Sequence, residues 1–220
     1  NVAIGYNSLD ANTTGEKNVA TGSAALSSNT TGNNNTAMGH AALAVSATSS
    51  NNTAFGYAAL NVATGGNNTA VGSNALATNS SASYNVAVGN DALKLNTTGG
   101  GSVAVGYEAL TSNTTNSDNV AVGYRAMKAN TTGYYSVGVG YQALDAQTTG
   151  NQNTAVGYAS LSALTTGTAC VAVGSRAGQT NTTGVNLVAV GNTALMDNTT
   201  GSYNCGVGAN ALADNTEGNY

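Results

Sequence analysis

Short apolar runs return at a fixed spacing along the whole chain, each closed by a glycine and most followed by a polar stretch of the Asn-Thr-Thr-Gly kind. Aligned on the recurring Ala-x-Gly, the units begin at Asn1, Asn18, Asn35, Asn52, Asn68, Asn85, Ser102, Asn119, Ser136, Asn153, Cys170, Leu187 and Asn204. Twelve have seventeen residues and the fourth has sixteen, so one array accounts for residues 1–220 with no internal linker. The idealised unit reads N-V-A-V-G-Y-x-A-L-x-x-N-T-T-G-x-x, and its positions are numbered one to seventeen. Position three is Ala or Gly, position five is always Gly, position eight is Ala or Ser, and position nine is Leu except at Met127 and Gly178.

A helix suits this pattern poorly, because a fixed Gly, β-branched Val and an N-T-T-G break would each oppose it within seventeen residues. Strands suit it better. Asn85-Val86-Ala87-Val88-Gly89 reads as a short β run, Ala92-Leu93 as a second, and Asn96-Thr97-Thr98-Gly99 as a turn whose Gly supplies positive φ. One unit is then one rung of a coil. Parallel stacking at roughly 4.8 Å per rung makes the array a rod on the order of 60 Å long. In the strand, Val86 and Val88 face one way and Ala87 and Gly89 the other, and neither face carries charge. One face is expected to line a narrow interior with Leu93. The other needs a partner, so identical coils are expected to associate, most simply as a homotrimer.

Composition sharpens this reading. The chain has no proline or tryptophan, one phenylalanine (Phe55) and 29 glycines, which rules out an aromatic-rich core. Hydrophobic residues still make up 41%, and their fixed phase argues for cooperative burial rather than a disordered linker. Charge is scarce because a residue repeated at one position stacks on its own copy, where like charges repel and Asn or Thr ladders hydrogen-bond. The net charge is −4, and the five basic residues, Lys17, Lys94, Arg125, Lys128 and Arg176, are scattered in sequence, so no nucleic-acid partner is expected. No apolar run approaches the roughly 18 residues of a membrane span, and no membrane insertion by this segment is expected. Both ends are in phase with the repeat and lack an atypical capping unit, from which the array is expected to be a segment of a longer fibrous protein.

The strings N-V-A-V-G-Y and N-T-A-V-G-Y with an A-L type pair following, as in Asn119 to Met127 and Asn153 to Leu161, resemble the head repeats of trimeric autotransporter adhesins, whose consensus is close to N-S-V-A-I-G, and Asn1-Val2-Ala3-Ile4-Gly5 matches it almost letter for letter. The units are also similar to repeats of some phage tail-fibre proteins. The resemblance covers the whole chain. It implies a left-handed parallel β-roll, three copies of which form a trimer displayed on a bacterial outer membrane. The N-T-T-G turn makes the present unit longer than the usual adhesin repeat.

No catalytic grouping emerges. His40 stands alone at position six, the acidic residues lie in different units, and the periodic glycines lack the lysine and helix of a phosphate-binding loop, so neither a metal nor a cofactor is expected. Cys170 and Cys205 are two rungs plus one position apart and on opposite strand faces, which argues against an intrachain disulfide. Both read as small buried substitutes for the residues usual at their positions. Tyrosine is the informative surface residue: Tyr6, Tyr57, Tyr107, Tyr124, Tyr141 and Tyr158 share position six. Among them Tyr57, Tyr107, Tyr124, Tyr141 and Tyr158 form a candidate contact ladder, read either as mutual stacking at a strand corner or as an aromatic strip for a glycan or host surface. The turns at Asn12, Asn29, Asn96, Asn113, Asn130, Asn181 and Asn198 fit the N-x-[ST] glycosylation pattern, although turn chemistry alone explains them.

The sequence therefore predicts an all-β, parallel β-solenoid of thirteen rungs. Its expected role is that of a non-catalytic structural and adhesive fibre segment, extracellular on a bacterial cell or a virion surface. Two rivals stand beside this reading. One is a filament assembled end to end without adhesive role. The other is an ice-binding solenoid, which the placement of the Thr pairs as neighbours within turns, rather than as T-x-T on one strand face, opposes.

Overall fold

A computed structural model describes residues 1–219, and Tyr220, the last letter of the final unit, lies outside the described residues. Each unit contributes one three-residue strand from positions two to four. These run from β1 (Val2–Ile4) and β2 (Val19–Thr21) through β6 (Val86–Val88), β7 (Val103–Val105), β8 (Val120–Val122) and β9 (Val137–Val139) to β12 (Val188–Val190) and β13 (Cys205–Val207). The thirteen strands form one parallel sheet in chain order. Register is unit on unit, with Val86 opposite Val103, Ala87 opposite Ala104 and Val88 opposite Val105. The sixteen-residue fourth unit keeps its place, Thr53 pairing with Thr69, because its missing residue is taken from the turn.

The two faces of the sheet divide as their side chains dictate. Ala at position three is buried in nearly every rung, while the residues at positions two and four are half-buried or exposed on the outside. The interior of the coil is an apolar column of Ala at positions three and eight with Leu at position nine. Leu26, Leu43, Leu60, Leu76, Leu93, Leu110, Leu144 and Leu195 have no exposed surface. Such small side chains suit a coil one rung wide, which has no room for rings.

Two details of the rung differ from the sequence reading. Ala92-Leu93 is not a second strand. Positions seven and nine adopt left-handed backbone conformations in every unit, as at Asp91 (φ 56°) and Leu93 (φ 50°), and this alternation curls the chain through two linked turns. Amide ladders nevertheless continue, since Leu93 N–H donates to Ala109 O of the next rung (3.0 Å) and Asp91 N–H to Ser73 O of the previous one (3.0 Å). The N-T-T-G glycine does not supply positive φ either. That demand falls on position five, where φ lies between 124° and 140° in all thirteen units. What the turn glycine supplies is room: a Cβ on Gly133 would sit 2.2 Å from Gly150 O of the next rung.

The Asn letters of the turn also point inward. Asn at positions one and twelve is buried in almost every rung and forms a second, polar column beside the apolar one. At position one, Asn119 Nδ2 donates to Gly133 O (2.8 Å) and its Oδ1 accepts from Ser136 N–H (3.0 Å). At position twelve, Asn113 Nδ2 donates to Asn116 O (3.0 Å) and to Asn96 Oδ1 one rung away (2.9 Å). Each amide therefore satisfies backbone groups that the tight turn would otherwise strand away from water.

Candidate functional site

The outside of the coil presents three surfaces: the sheet face, the edge that carries position six, and the N-T-T-G turns. On the sheet face, positions two and four form two columns of Val, Thr, Ile, Met, Phe and Cys205 with no charged residue among them. The Thr hydroxyls at Thr36, Thr53 and Thr69 follow one another there in adjacent strands.

At the edge, the structure joins four of the five candidate tyrosines. Tyr107, Tyr124, Tyr141 and Tyr158 stack face to face, with centroids 5.3, 5.2 and 5.3 Å apart and planes within 11° of parallel. Tyr57 is not part of this ladder. Ser73 and Asn90 occupy position six in the two intervening rungs, and Tyr57 stacks instead on His40 at 5.4 Å. Stacking hides ring surface: the four are 42–49% exposed, against 77% for Tyr6, which has no stacking partner. The arrangement leaves ring edges rather than ring faces for contact, because the faces are occupied by neighbouring rings. Arg176 covers the far end, with its guanidinium carbon 5.9 Å from the Tyr158 centroid.

Beside the ladder lies a charge cluster that the sequence reading missed. Lys94, Arg125, Lys128 and Arg176, distant in sequence, share this edge, because positions seven and ten of neighbouring rungs meet there. Lys128 Nζ bonds Glu108 Oε2 at 2.6 Å, and Arg125 lies 3.7 Å from both Glu108 and Asp145. Lys94 pairs with Asp91 at 3.3 Å. The hydrogen bond from Lys128 holds the Glu108 carboxyl below the ordinary carboxylate range, whereas burial pushes the Asp145 carboxyl up, against the pull of Arg125. The two act oppositely on stability as pH falls. The Glu108 contribution is present above the ordinary carboxylate range and is lost below its own lowered value, while protonation relieves the burial of Asp145 at higher pH. The signal available in the sequence was the spacing of seventeen and twenty residues between opposite charges, Glu108 to Arg125 and Glu108 to Lys128.

The candidate glycosylation residues lie inside. Asn29, Asn96, Asn113, Asn130, Asn181 and Asn198 have no exposed surface, and Asn12, in the first rung, is half-buried. Their Nδ2 groups are donated to the carbonyl three residues on, as in Asn130 to Gly133 at 2.9 Å, so a glycan there would displace the buried column. Of the cysteines, Cys170 is buried and Cys205 is exposed on the outer face of β13, which corrects the reading of both as buried. Both are free thiols, and burial pushes the Cys170 thiol up. Among the described residues no three of His, Cys, Asp and Glu gather closely enough to hold a metal ion, and no helix is long and apolar enough to cross a membrane.

Compared with protein-family models, curated proteins and solved structures, the chain finds no match.

Proposed function

We propose that this array is a stiff, non-catalytic fibre segment that works outside the cell, on a bacterial surface or a phage tail fibre, as a spacer and an adhesive surface. The observation that carries the reading is the unbroken in-register sheet of thirteen strands, which gives a rod with a charge-free, mostly apolar face. Stiffness follows from backbone ladders that each rung shares with the next. The apolar face is assigned to a second and a third copy of the same chain. By strand geometry it measures about 60 Å by about 10 Å, or ~600 Å², somewhat below the ~800 Å² each partner contributes to a standard interface. Three sheets turned toward a common axis would cover all of it and leave the tyrosine edges outward.

The mass of the chain in solution tests the assembly. A value three times 21.5 kDa is expected, and the outward substitutions Val105→Lys and Val122→Lys should give a folded chain of 21.5 kDa. A wild-type chain that stays monomeric at micromolar concentration would remove the trimer from the account.

Adhesion is assigned to the tyrosine edge. Replacing Tyr107, Tyr124 and Tyr141 with Ser should abolish retention of the labelled protein on immobilised glycans and leave its circular dichroism unchanged. Loss of the fold instead would make the ladder a stabilising feature only.

A further inference from the structure

Three of the four letters in N-T-T-G are explained by contacts inside the chain. The Asn at position twelve belongs to the buried polar column. The first Thr, at position thirteen, donates its hydroxyl to the carbonyl of the same position one rung on: Thr97 to Thr114 at 2.9 Å, Thr131 to Thr148 at 3.1 Å, Thr182 to Thr199 at 3.0 Å. The Gly makes room for the next rung's carbonyl. The second Thr, at position fourteen, is different. Thr98, Thr115, Thr132, Thr149, Thr166 and Thr183 are all exposed, and none of their hydroxyls makes a hydrogen bond among the described residues.

An exposed residue with no internal partner is free to drift, and position seventeen has done so, running through Lys17, Asp118, Tyr135 and Ala169. Position fourteen has not drifted: eleven of its twelve occupants carry a hydroxyl, Glu217 being the exception, and the sixteen-residue fourth unit lacks the position. Backbone preference does not explain this. A β-branched requirement would admit Val, which never occurs there, and would exclude Ser81. What is kept is the hydroxyl, so its user lies outside the chain. A non-covalent ligand would need further constant groups around it; position seventeen offers none, and the Ser and Asn side chains of position sixteen are taken up by backbone N–H groups of the adjacent rung, as at Ser83 and Ser117. A covalent acceptor needs only the hydroxyl.

We infer that the position-fourteen hydroxyls are acceptors for O-linked glycosylation. In that step the Thr Oγ1 attacks the anomeric carbon of a nucleoside-diphosphate sugar held by a glycosyltransferase. The new C–O bond replaces the bond to the diphosphate, which leaves as the nucleoside diphosphate, and a base of the transferase takes the hydroxyl proton. The product is a row of sugars along the turn edge, repeating at about the rung spacing of 4.8 Å.

The test is the mass of the tryptic peptide Ala129–Arg176, which contains Thr132, Thr149 and Thr166, taken from protein isolated from the cells that make it. A mass above the sequence value by up to three sugar residues is expected, lost on alkaline β-elimination. The variant Thr132→Val, Thr149→Val, Thr166→Val made in the same cells should return the peptide to its sequence mass with unchanged circular dichroism, while Thr131→Val should leave the added mass in place. A wild-type peptide at its sequence mass, or sugar that survives β-elimination because it sits on an amide, would overturn the inference.

Discussion

Gly123→Ala should break the coil in two. Gly123 sits at φ 135°, a conformation that side chains rarely adopt, and an added Cβ would lie 2.3 Å from Gly140 O and 2.7 Å from Gly140 C. The obstacle is backbone of the next rung, which no rotamer change relieves. Strain of this kind costs ~1–3 kcal/mol from φ alone, and separating the rungs adds lost ladder hydrogen bonds and exposed Ala and Leu, so the total is expected to exceed ~4 kcal/mol. Because each rung touches only its neighbours, the damage should localise, leaving the rungs on either side to unfold as separate units in thermal denaturation. Gly208→Ala, immediately after β13, is the matched control. It has a similar φ of 124°, but its Cβ would meet nothing nearer than Ala211 Cβ at 4.0 Å, so only the φ strain applies. Equal effects of the two substitutions would mean that position five is not in contact between rungs.

The second large effect is expected at Asn130. Its Nδ2 donates to Gly133 O at 2.9 Å and its Oδ1 accepts from Gly133 N–H at 3.0 Å, all buried. Asn130→Ala removes both partners of a turn peptide that water does not reach. Each stranded buried group costs ~1–3 kcal/mol, so a loss on the order of 3 kcal/mol is expected in chemical denaturation. Asn192→Ala at the exposed position six should stay within ~0.5 kcal/mol. If the two Asn substitutions proved equivalent, the polar column would be a surface feature.

These two residues also show what could be read from the letters. The glycine at position five and the seventeen-residue period were plain in the sequence, and with them the sheet, its register and its inward Ala face, because each depends only on repetition and on the alternation of a strand. The burial of Asn was not read, since N-T-T-G is ordinary turn chemistry and turns are usually wet. The signal was in the exceptions: position twelve is replaced by Ser46, Ala63, Gln147 and Leu164, never by a charge, whereas positions sixteen and seventeen accept the exposed Glu16, Lys17 and Asp118. Leu164 at position twelve and then Cys170 and Leu187 at position one are equally buried, each beside the remaining Asn of its rung, Asn153, Asn181 and Asn198. The tyrosine ladder was legible as a shared position. Its separation from Tyr57 and its flanking ion pairs depend on what Ser73, Asn90 and Glu108 contribute from adjacent rungs, which only the stacked geometry brings together.

All of these proposals assume that each unit lies directly over the next. Spin labels at position sixteen measure this, placed pairwise at Asn33 and Ser117, five rungs apart, or Asn33 and Ser202, ten rungs apart, with Cys170 and Cys205 changed to Ser. Stacking at ~4.8 Å per rung predicts electron-spin distances near ~24 Å and ~48 Å, in the ratio of the rung counts. A flexible chain of the same separations would give broad distributions near ~50 Å and ~70 Å, and that result would contradict the account.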